Sequence, residues 1–270
     1  MGLCGSKTTV QSNVVKKITI AVLGLENAGK TLTSKSLSGD QNKDVDPSMG
    51  FSNFHFNYKN LPITLYDLGG SKKIRSIWKN YFYDVHGVLY IVDATDENRI
   101  DESNAIFSEL VCNPALSGKP FLVLANKNDL KDAFERDEMI EIFDLYELSL
   151  KYQTPSRLEC VSAMHYFDEK EKGPIKESFK WLIDAIVANY INLQTRVESD
   201  IDARKKVLKD TRLKKKFKHE KQYSTDEEQK FKKNKQPSIA NRRNNRIEPL
   251  NIPPKENAKY DHFTYDWESD

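Results

Sequence analysis

Four short runs hold the residues with chemistry to offer. Gly24-Leu25-Glu26-Asn27-Ala28-Gly29-Lys30-Thr31 fits a glycine-rich phosphate loop, set between a strand-like apolar run and a helical one. Glycines let successive backbone N–H groups converge on phosphate oxygens, and the helix start adds positive potential. Lys30 would reach the β- and γ-phosphates, and the Thr31 hydroxyl would bind Mg²⁺. In Asp67-Leu68-Gly69-Gly70, the Asp67 carboxylate can hold Mg²⁺ through water, and the Gly70 N–H can approach a γ-phosphate without steric conflict. In Asn126-Lys127-Asn128-Asp129, the Asp129 carboxylate can accept two N–H donors from a guanine edge. Adenine lacks that donor pair, so Asp129 would select GTP over ATP, while the Lys127 stem lies along the purine. Cys160-Val161-Ser162-Ala163 offers backbone N–H groups, at Ser162 and Ala163, for the guanine O6. Each run alone is modest evidence. The four in this order, each after a strand, point together to a guanine nucleotide at the carboxyl edge of an open sheet.

The elements that must position these runs are legible in the apolar pattern. KITIAVLGL from Lys17 is strand-like, and TLTSKSLSG after it is helical. FSNFHFNY (51–58) alternates aromatic and polar side chains, which predicts a strand with one buried face; PITLYDL (62–68) predicts another. GVLYIVD (87–93) and PFLVLAN (120–126) are nearly all apolar, as expected of strands covered on both faces. Helical patterns occupy 97–111, 136–150 and the stretch from Pro174. Strands alternating with helices predict an α/β doubly wound domain.

The 270 residues divide by charge. Residues 201–270 carry 19 Lys+Arg against 12 Asp+Glu, whereas residues 1–200 carry 23 against 28. An acidic body with a basic tail fits this division better than a uniform nucleic-acid binder. The basic cluster at 204–218 has no stacking aromatic but Phe217, which also argues against nucleic acid and leaves a solvated face, a lipid surface or an acidic partner. No apolar run is long enough for a transmembrane helix, and the first residues lack the core of a secretory signal. Cys4, Cys112 and Cys160 are too few for a disulfide framework or zinc site, so a cytosolic, reducing compartment is expected. The five histidines show no metal-ligand spacing. Met1-Gly2-Leu3-Cys4-Gly5-Ser6 fits an acylation signal: Gly2 would carry myristate and Cys4 palmitate, two chains together giving a stable anchor. The expected organisation is an acylated segment (1–17), a globular domain (18–193), a charged helical extension (194–222) and a disordered tail (223–270).

With these residues in view, the chain resembles a small GTPase of the ADP-ribosylation-factor family. GLENAGKT, Pro47-Ser48-Met49-Gly50-Phe51, DLGG followed by KIRSIWKNYF, and NKND carry the resemblance over about residues 18–190. It implies a P-loop GTPase fold with a mostly parallel six-stranded sheet and flanking helices, and Mg²⁺ with GTP or GDP as ligand. It also implies two nucleotide-sensing segments, switch I around Ser48 and switch II from Asp67 to about Tyr83. Phe51, Tyr66 and Tyr81 resemble the aromatic patch such proteins show to effectors, with core packing as the alternative. Ser48 stands where the family usually has Thr and keeps the Mg²⁺-binding hydroxyl. Ser71 stands where the family usually has a Gln that orients the attacking water; serine is too short for this, so slow hydrolysis is expected.

Within the family the chain is most similar to the ciliary ADP-ribosylation-factor-like 13 group, in a DLGG without the Gln, in IWKNYF and in the charged extension. Arg246-Ile247-Glu248-Pro249 resembles that group's ciliary targeting segment, with Ile in place of Val. The resemblance implies a GTP-bound form that acts as exchange factor for the type-three Arf-like GTPase at the ciliary membrane, among ciliary trafficking proteins. Two other readings stay open: a conventional trafficking GTPase with assisted hydrolysis, and a non-cycling adaptor stabilised by GTP.

Overall fold

The structure, a computed structural model, describes residues 16–40, 42, 50–165 and 173–233. Gly2, Cys4, Ser48 and the Arg246–Pro249 segment lie outside the described residues. Six strands form one sheet in the order β2-β3-β1-β4-β5-β6, with β1 Ile18–Leu23, β2 Phe51–Tyr58, β3 Leu61–Leu68, β4 Gly87–Asp93, β5 Phe121–Asn126 and β6 Ser156–Cys160. Only the β2–β3 pair is antiparallel. Its two-residue turn, Lys59-Asn60, has positive φ at both positions (48° and 65°), the geometry whose twist suits a tight hairpin.

β1 and β5 are buried along their whole length and β4 to its last residue, because helices cover both faces. Side chains alternate between two cores. Ala21, Leu23, Val88, Tyr90 and Val123 face Phe107 and Leu110 of α3 (Ile100–Cys112) and Met139 of α4 (Arg136–Ile142). Ile20, Val22, Leu89, Ile91 and Leu124 face Phe179, Leu182, Ile183 and Ile186 of α6 (Pro174–Ala188). The all-apolar run that hides strand periodicity in the sequence is therefore two half-faces superposed.

Some expectations are corrected. β2 is a half-exposed edge: Phe54, Phe56 and Tyr58 pack against the α6-side core, but Phe51 is out of phase with them and 40% exposed. The helical pattern at 136–150 is two helices, α4 and α5 (Leu145–Lys151), because Asp144 turns left-handed (φ 44°) after Phe143 enters the core. α4 starts with a reciprocal cap between Glu135 and Glu138. The final helix α7, Tyr190–Lys233, overruns the expected 194–222 at both ends. The chain divides after Leu213 into two compact units, the first holding the sheet and the start of α7, the second beginning at Lys214. Among the described residues no helix is long and apolar enough to cross a membrane.

The base of α7 is tied to β1. Tyr190 Oη accepts from the Lys17 N–H at 3.0 Å and donates to the Lys17 carbonyl at 3.1 Å. Its ring stacks on His86, 5.6 Å between centroids. The Thr19 N–H donates to His86 Nδ1 at 3.0 Å, and His86 Nε2 faces Gln194 Oε1 at 2.9 Å. This pairing requires the neutral ring protonated on Nε2. Burial holds the His86 pKa below its ordinary 6.5, against an opposing push from Gln194. A depressed pKa means that the unfolded chain takes up the proton first. The stabilisation is complete above pH 6.5 and fades as pH falls toward the folded value. Thermal unfolding between pH 7 and 5 should show the midpoint falling, and His86→Gln should flatten that fall; an unchanged slope in the variant would remove His86 from this role.

Candidate functional site

The glycine-rich loop leaves β1 at Leu23. A Cβ at Gly24 (φ 140°) would stand 2.1 Å from the Ile91 carbonyl of β4, and one at Gly29 (φ 93°) would stand 2.2 Å from Asn126 Nδ2. Both positions demand glycine for space and for backbone conformation. Asn27 is left-handed as well, a conformation that asparagine tolerates. α1 (Lys30–Ser38) then begins on Gly29 with no side-chain cap, so its positive end faces the loop, the arrangement that suits an anion.

Lys30 is only 6% exposed, and its Nζ folds back to the Leu25 carbonyl at 2.6 Å. Burial lowers its pKa to about 8, while Asp67 and Glu26 pull the other way. A phosphate would complete the charge balance. Thr31 Oγ1 donates to Asp67 Oδ2 at 2.5 Å, so the fold brings together two of the three expected Mg²⁺ ligands from α1 and β3. Among the described residues there is no group of three His, Cys, Asp or Glu fit for a metal. Mg²⁺ would thus be held by hydroxyl, water-bridged carboxylate and phosphate oxygens, which suits this hard cation.

Gly70 lies on the opposite side of the same loop. A Cβ there would come within 2.3 Å of Leu25 C, 2.4 Å of the Glu26 N and 2.4 Å of the Gly24 carbonyl. Gly69 is pinned from two directions, its N–H to the Gly50 carbonyl at 2.8 Å and its carbonyl to Trp78 Nε1 at 2.9 Å. Ser71 heads α2 (Lys72–Arg75), its carbonyl accepting from the Ile74 and Arg75 N–H groups. It lines a cavity of about 430 Å³ with Leu25, Glu26, Arg75, Arg99 and Glu102. The two arginines are unforeseen neighbours: Arg75 pairs with Glu102 at 2.7 Å, and Arg99 Nη1 reaches the Glu26 carbonyl at 3.4 Å. They come from separate elements, and nothing in local spacing links them to the loop.

At the base-binding end, Asn126 acts as a brace. Buried, it donates from Nδ2 to the Ala28 carbonyl at 2.9 Å and accepts the Ala163 N–H on Oδ1 at 2.8 Å. One amide thus joins the phosphate loop, the end of β5 and the loop after β6. Lys127 (φ 66°) pairs through Nζ with Asp93 Oδ2 at 2.5 Å, and Asp93 Oδ1 accepts from the Thr95 N–H and hydroxyl. Asp93 orients the stem of Lys127 and was missing from the expected site. Its only signal was its place at the end of a buried strand. Asp129 is exposed, and the Ser162 hydroxyl holds its carboxyl below the usual range. The expected residues Gly24 to Thr31, Asp67, Gly70, Asn126, Lys127, Asp129, Ser162 and Ala163 thus lie around one edge of the sheet.

Phe51, Tyr66 and Tyr81 meet as a cluster beside this edge. Phe51 stacks on Tyr81 at 4.8 Å and meets Tyr66 edge-on at 5.3 Å. The rings pack on each other, and Phe51 stays 40% exposed.

Residues 6–186 match the model of the ADP-ribosylation factor family. The chain is 33% identical over 187 residues to ADP-ribosylation factor-like protein 13B of Chlamydomonas reinhardtii; the match covers 69% of this chain and about a third (35%) of that relative's length. It is 33% identical over 167 residues to ADP-ribosylation factor-like protein 3 of the same organism, covering 62% of this chain and 89% of the relative. The solved structure of the Arl6 BBS3 small GTPase from Trypanosoma brucei, with a bound nucleotide analogue, superposes with a TM-score of 0.56 at 24% identity. That match covers 64% of this chain and 98% of the other and supports the fold.

Whether Asp129 reads guanine can be tested by exchanging its acceptor for a donor. Asp129→Asn should weaken GTP binding by about a hundredfold or more, ~3 kcal/mol, and gain xanthosine triphosphate in return. Fluorescent-nucleotide titration with unchanged GTP affinity would remove Asp129 from the site. By the family match across two thirds of its length, the sheet order and the glycine loop closed on Asn126 and Gly70, the chain belongs to the ADP-ribosylation factor family of small GTPases.

Proposed function

We propose that the chain is a membrane-anchored guanine-nucleotide switch of cilia. In this reading it binds Mg²⁺·GTP, hydrolyses it slowly, and in its GTP form acts as exchange factor for the type-three Arf-like GTPase, supporting ciliary membrane-protein traffic and cilium assembly. The observation that carries the reading is Ser71 at the head of α2, lining the cavity beside Leu25 and Glu26. A hydroxymethyl group there cannot reach the place from which a glutamine amide orients water. GTP is then a state to be held more than a substrate to be consumed. The ciliary setting and the partner come from the likeness to the Arf-like 13 group, and the length of α7 supports it.

The residues divide the work. The backbone N–H groups at the start of α1 and the Lys30 ammonium would take the β- and γ-phosphates. Thr31, Asp67 through water, and Ser48 would hold Mg²⁺, which when bound spreads the phosphate charge. Gly70 would offer its N–H to the γ-phosphate, so that switch II senses its presence. Asp129, Lys127, Ser162 and Ala163 would take the guanine. Phe51, Tyr66 and Tyr81 would form the patch whose shape follows the nucleotide. Gly2 and Cys4 would supply the two acyl chains, and Arg246–Pro249 the targeting segment.

The deciding experiment is nucleotide release from the purified type-three Arf-like GTPase, with this chain loaded with GTP or GDP. The GTP-loaded form should accelerate release by at least about tenfold, with Ser71→Gln losing that effect over time as it hydrolyses its own GTP faster than wild type. Equal release with both nucleotides would favour a conventional trafficking GTPase or a non-cycling adaptor. Attachment is read separately: Gly2→Ala with Cys4→Ser should move the protein from the membrane pellet to the supernatant, and persistence in the pellet would exclude acyl anchoring.

A further inference from the structure

The last turns of switch II are gripped from outside the nucleotide site. α7 first buries Tyr190, Leu193 and Val197 against the domain. Arg196 then donates to the Ser117 and Pro114 carbonyls. Two turns further on, Arg204 donates from Nη1 to the Asn80 carbonyl and from Nη2 to Asn80 Oδ1 at 2.9 Å. Its guanidinium also lies over the Tyr83 ring, 5.3 Å from the centroid. From the other side, the fully buried Lys119 donates to the Phe82 carbonyl at 2.8 Å. Two side-chain cations therefore hold the carbonyls of residues 80 and 82, one of them carried by α7. An aliphatic side chain at 204 could satisfy neither Asn80 acceptor, whereas the planar guanidinium reaches both at once.

The same segment is fastened to the nucleotide end. Trp78 donates to the Gly69 carbonyl, and Gly70 lies against Gly24, Leu25 and Glu26. Contacts thus run without a gap from the phosphate loop through Gly69–Gly70, Trp78 and Asn80 to Arg204. Packed elements of this kind move between discrete arrangements, so a shift at one end is felt at the other.

We propose that α7 is a built-in reader of the nucleotide, coupled to it through the Arg204 clasp on Asn80 and Tyr83. The clasp favours the arrangement in which Gly70 lies against the phosphate loop, where its N–H can meet a γ-phosphate. GTP and helix docking then support each other, and coupling between two sites is reciprocal. The consequence is that α7 sits more firmly on switch II in the GTP form than in the GDP form. The inference rests on guanine-nucleotide binding by this chain and not on exchange activity toward any partner.

Two measurements on the full chain test it. Arg204→Ala should lower affinity for a non-hydrolysable GTP analogue about fivefold or more relative to GDP. Arg204→Lys should fall between, keeping charge without the fork, and Asn80→Ala in the Arg204→Ala background should add little. In the wild type, amide exchange over residues 198–208 should slow on changing GDP for the GTP analogue. An analogue-to-GDP affinity ratio within twofold of wild type in Arg204→Ala, or exchange over 198–208 that ignores the nucleotide, would overturn the proposal.

Discussion

The buried amide of Asn126 is the interaction on which the site depends. Its Nδ2 holds the Ala28 carbonyl of the phosphate loop and its Oδ1 holds the Ala163 N–H of the loop after β6. Both polar ends are satisfied in an apolar setting, where an unmade bond costs about 1–3 kcal/mol. Gly29 must lack a side chain because this amide occupies the space its Cβ would fill. One side chain at the end of β5 therefore ties the glycine-rich loop to the loop after β6. Neither loop has regular structure to do this alone.

The second constraint is how closely backbones approach at the phosphate loop. Gly24 leaves room for the Ile91 carbonyl, and Gly70 lies against the backbone of Gly24, Leu25 and Glu26. The loop is thus pressed between β4 and the start of switch II. Burial draws the Lys30 pKa down to about 8, while Asp67 and Glu26 oppose the shift.

Switch II is held at both ends, at Gly69 by Gly50 and Trp78 and at residues 80–83 by Arg204 and Lys119. The middle, α2, is one short turn carrying Ser71 at its head.

The strands, the glycine-rich run, the NKND run and Ser71 after DLGG were legible in the sequence, because each depends on residues within a few positions of one another. GVLYIVD and FLVLAN were legible as strands from composition, and Gly24, Gly29 and Lys30 from spacing. Tertiary structure alone decided that Asp93 pairs with Lys127, that Arg75 and Arg99 border the Ser71 cavity, and that Arg204 grips Asn80. Asn80 and Arg204 stand 124 residues apart, and no local pattern can encode such a pairing. It also decided the break at Asp144, where burying Phe143 outweighs the helical pattern of 136–150. Local chemistry writes the motifs. Packing of the helices on the sheet chooses which distant side chains share a motif's surroundings, since that choice is made by shape and burial across the whole domain.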